Sequence, residues 1–135
     1  MHTSWSLDIR EITSTNKDRK VFNVKQTYNG GGKKRHLTRI ATLNVYSIVN
    51  KMTAIQQFIN DWRIDVIVIT ETYVQEEGYG EISIEGMTRA CTSCGEKGKT
   101  KGGVAIYVSN MIPCYEEYSM ITCEKNEIEH CATII

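Results

Sequence analysis

The chain has 135 residues, with 16 basic and 16 acidic side chains and a formal net charge of zero. That length supports one domain with a modest core and not two, and the balanced charge removes the global basic signature of many nucleic-acid binders. A hydrophobic content of 41% is ordinary for a soluble globular protein, and a single proline, Pro113, argues against a disordered proline-rich scaffold.

Residues 1–36 are polar and mixed, and the reading is a leader or linker ahead of the folded part. The first eight residues lack the apolar core of a signal peptide. The longest apolar runs are too short to span a bilayer, so no membrane partner is expected. Val21, Phe22 and Val24 could form one short strand. Gly30-Gly31-Gly32 reads as a flexible joint, because glycine loses the most backbone entropy on ordering. Lys33-Lys34-Arg35 behind it is a nuclear-localisation patch, a phosphate contact or nothing.

Residues 37–45, Leu-Thr-Arg-Ile-Ala-Thr-Leu-Asn-Val, read as a strand that carries Asn44 at its exit. Asn50 is the expected N-cap of a helix. Met52, Ile55, Phe58, Ile59 and Trp62 then recur at spacings of three and four and draw one apolar stripe. Residues 64–69 are almost continuously β-branched, the pattern of a strand buried on both faces. Strand, helix and strand make a β-α-β unit with parallel strands and an expected right-handed crossover. Asn44 and Glu71 therefore leave the sheet at the same carboxyl-terminal edge, where the sites of such units gather.

Beyond Glu71 the periodicity becomes that of an antiparallel meander. Ile82-Ser83-Ile84 alternates, residues 92–103 read as a loop, and residues 104–108 form a strand with Gly102-Gly103 as its turn. Residues 114–121 and 131–135 are read as two further strands. Lys33, Lys34, Arg35 and Arg39 make one basic patch and Lys97, Lys99 and Lys101 a second, each a phosphate contact or a solvated loop. The five cysteines show no disulfide framework, which points to a reducing cytoplasmic or nuclear setting. Cys91 and Cys94 have zinc-knuckle spacing without a second ligand pair, and read as two loop thiols.

An amide and a carboxylate on neighbouring parallel strands are the oxygen-rich groups that a hard divalent cation and a phosphodiester ask for. Each also has a plain structural reading, since Asn and Glu after strands are often turn or cap residues. The segment Leu43-Asn44-Val45-Tyr46-Ser47-Ile48-Val49-Asn50-Lys51-Met52, the later Thr70-Glu71-Thr72, and the glycine-led strand Gly102-Gly103-Val104-Ala105-Ile106-Tyr107-Val108 come in order on suitable elements. Together they resemble the endonuclease/exonuclease/phosphatase superfamily. The likeness is greatest to the endonuclease domain of non-LTR (LINE-type) retrotransposons.

The resemblance covers residues 37–135 and implies the N-terminal part of a DNase-like α/β domain, a four-layered sandwich of two facing sheets covered by helices. It implies a Mg²⁺-dependent hydrolase (with Mn²⁺ as a substitute) of nucleic-acid phosphodiesters, with DNA as partner. Glu71 would be the metal-binding carboxylate, and Asn44 would orient the phosphate or a metal-bound water. Tyr46 departs from the family's residue type at its place, and Tyr107 and His130 read as packing residues. The family's later aspartate–asparagine and aspartate–histidine motifs have no counterpart here, and Asp61 and Asp65 lie inside the first unit. The expectation is a truncated domain, weak or inactive, with self-association through an uncovered sheet face. The alternatives are a lipid-phosphate or sphingomyelin hydrolase of the same superfamily, and a non-catalytic remnant or binding module.

Overall fold

The aliphatic run behind the helix becomes the central strand of a single sheet. A computed structural model describes residues 4–12, 17–29, 33–94 and 101–112. Strands β1 (Ser4–Glu11), β2 (Arg19–Asn29) and β3 (Lys33–Asn44) precede helix α1 (Met52–Trp62). Strands β4 (Val66–Thr70), β5 (Met87–Ser93) and β6 (Val104–Ser109) follow it, with a 3₁₀ helix at Glu76–Glu81. The strand order is β1-β2-β3-β4-β6-β5. Only β3 and β4 are parallel, Ile40 facing Val66 and Asn44 facing Thr70; β6 runs antiparallel to β4 and β5. The chain is thus α/β with a mixed sheet.

The period-two alternation of β4 sends its side chains into two apolar clusters, as expected for a strand covered on both faces. Ile67 and Ile69 join Ala41, Ala105 and Tyr107 under the helix residues Ile55, Phe58 and Ile59. Val66 faces the other way with Ile106, Val108, Ala90 and Cys91, all buried, and Ile40 and Val68 pack on them. On this second face the central positions of β4, β5 and β6 are buried. Each fully buried aliphatic side chain contributes about 1.5–3 kcal/mol, so the two clusters are what fixes β4 in the middle.

Helix α1 has the expected span, and its apolar stripe is the buried one. Its N-cap is Lys51 and not Asn50, and no side chain caps it. Its end is a Schellman turn: Arg63 takes φ 51°, its N–H reaches Asn60 O, and Ile64 N–H reaches Ile59 O. The Arg39 guanidinium of β3 donates to Trp62 O at 2.5 Å and to Asn23 Oδ1 at 3.1 Å, tying the last helical turn to the sheet.

Several expectations are corrected. The stretch read as a leader holds β1 and β2, and β2 pairs with β3 along its whole length. Its alternation is hard to see because its residues are mostly polar. Among its described side chains Val21 alone reaches full burial, in the cluster on the helix side of the sheet. Ile82-Ser83-Ile84 is not a strand; Ile84 is buried and Ile82 packs on the core from an irregular segment. Thr92 and Ser93 belong to β5, which the sequence reading placed in a loop. Cys91 is a buried residue of β5 and is disulfide-bonded, so it is not a loop thiol. The glycine joint at 30–32, Lys97, Lys99, His130 and the strands expected at 114–121 and 131–135 lie outside the described residues. No helix among the described residues is long and apolar enough to cross a membrane.

Candidate functional site

Three segments continue past their strands and knit together at the carboxyl-terminal edge of β3 and β4. Val45 N–H donates to Thr70 O (3.1 Å), Ser47 N–H to Glu71 O (2.8 Å) and Ile48 N–H to Thr72 O (3.0 Å). On the other side Thr72 N–H donates to Gly103 O (3.2 Å) and Tyr73 N–H to Gly102 O (2.9 Å). Asn44 and Glu71 are thus brought to the same edge, on adjacent parallel chains, with the glycine pair closing the third side.

This knitting holds backbone that L-residues otherwise avoid. Tyr46 (φ 47°), Ser47 (φ 89°), Glu71 (φ 56°) and Tyr73 (φ 58°) all lie in the left-handed region. Each such residue costs roughly 1–2 kcal/mol. Four of them in two short loops mark this edge as the place where backbone strain is concentrated.

Behind the edge sits a buried polar chain that the sequence did not announce. Thr72 Oγ1 and Tyr79 OH lie 2.5 Å apart, and the Tyr79 hydroxyl donates to Ser93 O at 3.2 Å. Thr72 then donates to the tyrosine oxygen, so every hydrogen of the chain has an acceptor. Thr72 and Ser93 are completely buried.

The side chains at the rim come in tyrosine–carboxylate pairs. Gly102 N–H donates to Glu71 Oε2 at 3.3 Å, and Tyr73 lies beside the same carboxylate. Partial burial, then the negative charge of Glu71, holds the Tyr73 phenol above its usual pKa. Tyr46 OH donates to Asp18 Oδ1 at 3.0 Å, and that bond, then the charge of Asp18, raises its pKa, with smaller contributions from burial, Tyr73 and Glu71. Both phenols stay protonated. Asp18 belongs to the turn between β1 and β2, and its carbonyl also accepts Asn44 N–H at 2.7 Å. The N-terminal hairpin therefore builds part of the site, which a leader could not.

Cations approach from the helix side. Lys51 Nζ donates to the Val45 carbonyl and, at 3.3 Å, to Tyr46 O. Arg19 lies over the Phe58 ring, 5.2 Å from its centroid. Arg19, Val45, Lys51, Phe58 and Asn44 line a small cavity of about 190 Å³.

Whether a metal suits this edge is decided by its oxygens. Asn44 Oδ1 is buried and has no hydrogen-bond partner. An unsatisfied buried acceptor costs about 1–3 kcal/mol, and it is relieved by a donor or a cation. A Glu71 carboxylate with about four lone-pair positions keeps some beyond Gly102. No three His, Cys, Asp or Glu side chains converge among the described residues. That donor set excludes a closed zinc cage there, and fits a hard cation such as Mg²⁺ that retains most of its water. No protein-family model and no curated protein sequence matches this chain.

Proposed function

We propose that this chain carries the metal- and phosphate-holding edge of a divalent-cation-dependent phosphodiesterase of the endonuclease/exonuclease/phosphatase kind, with a nucleic acid, DNA in the retrotransposon-type reading, as its substrate. On this reading the six-stranded sheet is one of the two in a four-layered sandwich. What carries the proposal is the buried, unpartnered Asn44 Oδ1 at the edge where Glu71 also emerges. A protein retains such an acceptor at a cost in stability, and a ligand that satisfies it accounts for the cost.

Glu71 would hold Mg²⁺ or Mn²⁺, with the Gly102 N–H fixing the carboxylate's orientation. The bound ion would supply positive charge to a phosphoryl group as charge develops on the leaving oxygen. Asn44 would orient the phosphate or a coordinated water through its amide. Lys51, folded beneath the 45–46 carbonyls, adds fixed positive charge beside the phosphate position. The three segments contain no histidine, so they hold substrate better than they move its protons, and turnover by these groups alone is expected to be low.

The test is Mn²⁺ titration followed by water-proton relaxation. Weak binding, with a dissociation constant on the order of 10⁻³ M, should be lost in Glu71→Ala and weakened in Asn44→Ala. Unchanged binding in Glu71→Ala would overturn the site. Plasmid nicking in Mg²⁺ should be slight, and robust nicking abolished by Glu71→Ala would show that these residues suffice for chemistry. Faster hydrolysis of sphingomyelin vesicles than of plasmid would replace nucleic acid by lipid as the substrate.

A further inference from the structure

We propose that Tyr46 is a stacking platform for the base of an unpaired nucleotide whose phosphate lies at the Asn44–Glu71 edge. The proposal rests on the phosphodiesterase reading above and adds to it a preference for unpaired bases.

A single exposed aromatic residue is ordinary on a protein surface. Tyr46 differs in how it is held. Its side chain is 51% exposed, and Val49 on the same loop is 66% exposed, so the loop presents an apolar tip. The backbone beneath it is fixed in the left-handed region at Tyr46 and Ser47. Ser47 N–H is bound to Glu71 O, and Lys51 Nζ lies against the Tyr46 carbonyl. At the far end of the ring, the hydroxyl is bound to Asp18 on a different hairpin. A phenol fixed at both ends has already lost its rotamer freedom, which lowers the entropy cost of stacking a partner on its face.

Location supplies the ligand. Tyr46 stands two residues beyond Asn44, and Ser47 is bonded to the Glu71 backbone, so the ring flanks the phosphate position and not a remote surface. Lys51 beside it supplies a cation for the backbone of the same nucleotide. In a duplex both faces of a base are occupied by its neighbours, so a ring can stack only on an unpaired, flipped or terminal base. Every base has a π-face, so no sequence preference is expected from the stacking contact itself.

The experiment uses the full chain in Mn²⁺ and fluorescence anisotropy with three labelled probes: a short single-stranded oligonucleotide, an abasic backbone of equal length and a blunt duplex. The single strand should bind more tightly than the abasic backbone or the duplex. Tyr46→Leu should lower single-strand affinity about 5- to 150-fold, the range given by loss of one stacked base, and leave abasic binding unchanged. Tyr46→Phe, which keeps the ring and drops the bond to Asp18, should retain most of the affinity. Equal single-strand binding by wild type and a folded Tyr46→Leu would overturn the platform, as would an equal loss in Tyr46→Phe. Glu71→Ala separates the two readings. It should weaken metal-dependent binding of all three probes, and if it weakens none while Tyr46→Leu weakens the single strand, the phosphodiesterase reading fails and the stacking surface stands.

Discussion

Replacing Gly103 by alanine tests how tightly the site is built against the core. Gly103 is buried at φ 93°, and a Cβ there would fall well inside contact distance of Thr72 Oγ1, 3.2 Å from Tyr79 OH and 3.6 Å from Ser93 O. Its neighbours are the three members of the buried polar chain, all of them held by hydrogen bonds and none at the loose end of a flexible side chain. Two costs add: about 1–2 kcal/mol for an L-residue in the left-handed region, and about 1–3 kcal/mol for overpacking. Gly103→Ala should therefore destabilise by about 2–5 kcal/mol, a large share of the 5–15 kcal/mol typical of a domain. Gly86 and Gly80 separate the terms. Gly86 has φ 80° and open space around its Cβ position, so Gly86→Ala should show the backbone cost alone, about 1–2 kcal/mol. Gly80, with open space and no positive φ, should change stability by less than about 0.5 kcal/mol. Urea unfolding of the three variants measures all of this. If Gly103→Ala loses no more than Gly86→Ala, the buried Thr72–Tyr79–Ser93 chain has room to move, and tight packing of Gly103 against it is refuted.

Two further outcomes follow from the same geometry. Tyr107 is buried, and its hydroxyl donates to Ile82 O at 3.4 Å; burial raises its pKa above the ordinary 10.0, against a smaller lowering by Arg89. The native state then holds this proton more tightly than the unfolded chain, so stability is intact below pH 10 and falls as pH rises through the native value; thermal melts from pH 9 to 11 should show that decline, and Tyr107→Phe should flatten it. Ser47→Gly should raise stability by about 0.5–1 kcal/mol, because glycine takes φ 89° without the Cβ penalty; a loss in urea unfolding would remove strain from the account of this loop.

What was legible in the sequence is the part governed by burial period. The stripe from Met52 to Trp62 can lie only on a helix, and the β-branched run at 64–69 can lie only in a covered strand. The parallel pairing that sets Asn44 opposite Thr70 follows from those two. What was illegible is the part in which polar residues are bonded and not buried. Strand β2 was legible only as a short strand at Val21, Phe22 and Val24; Lys20, Asn23 and Lys25 obscure the rest of its alternation, and its full length comes from pairing with β3. Strand β5 is interrupted by a register shift between Arg89 and Cys91, so its alternation breaks in the middle. Within the site, the two positions named from sequence do reach one edge. The tyrosines beside the carboxylates were missed, because a hydrogen bond to Asp18, 28 residues away in the chain, leaves no local trace.

The left-handed residues explain why that hairpin matters. Among the described residues the only other non-glycine with positive φ is Arg63, which ends a helix in a motif that wants such a backbone. The remaining four are spread over the two loops that carry Asn44 and Glu71, and the strain there is of order 4–8 kcal/mol in sum. Backbone hydrogen bonds between the loops offset part of it. Asp18 contributes two more bonds from the hairpin turn, one to the Asn44 amide and one to the Tyr46 phenol. Without β1 and β2 the first loop would lose both of these bonds, and Tyr46 and Ser47 would be held only by the bonds to the Glu71 segment and Lys51. The two N-terminal strands therefore act on this edge through Asp18, which holds the first loop, with Tyr46 on it, against the end of β3.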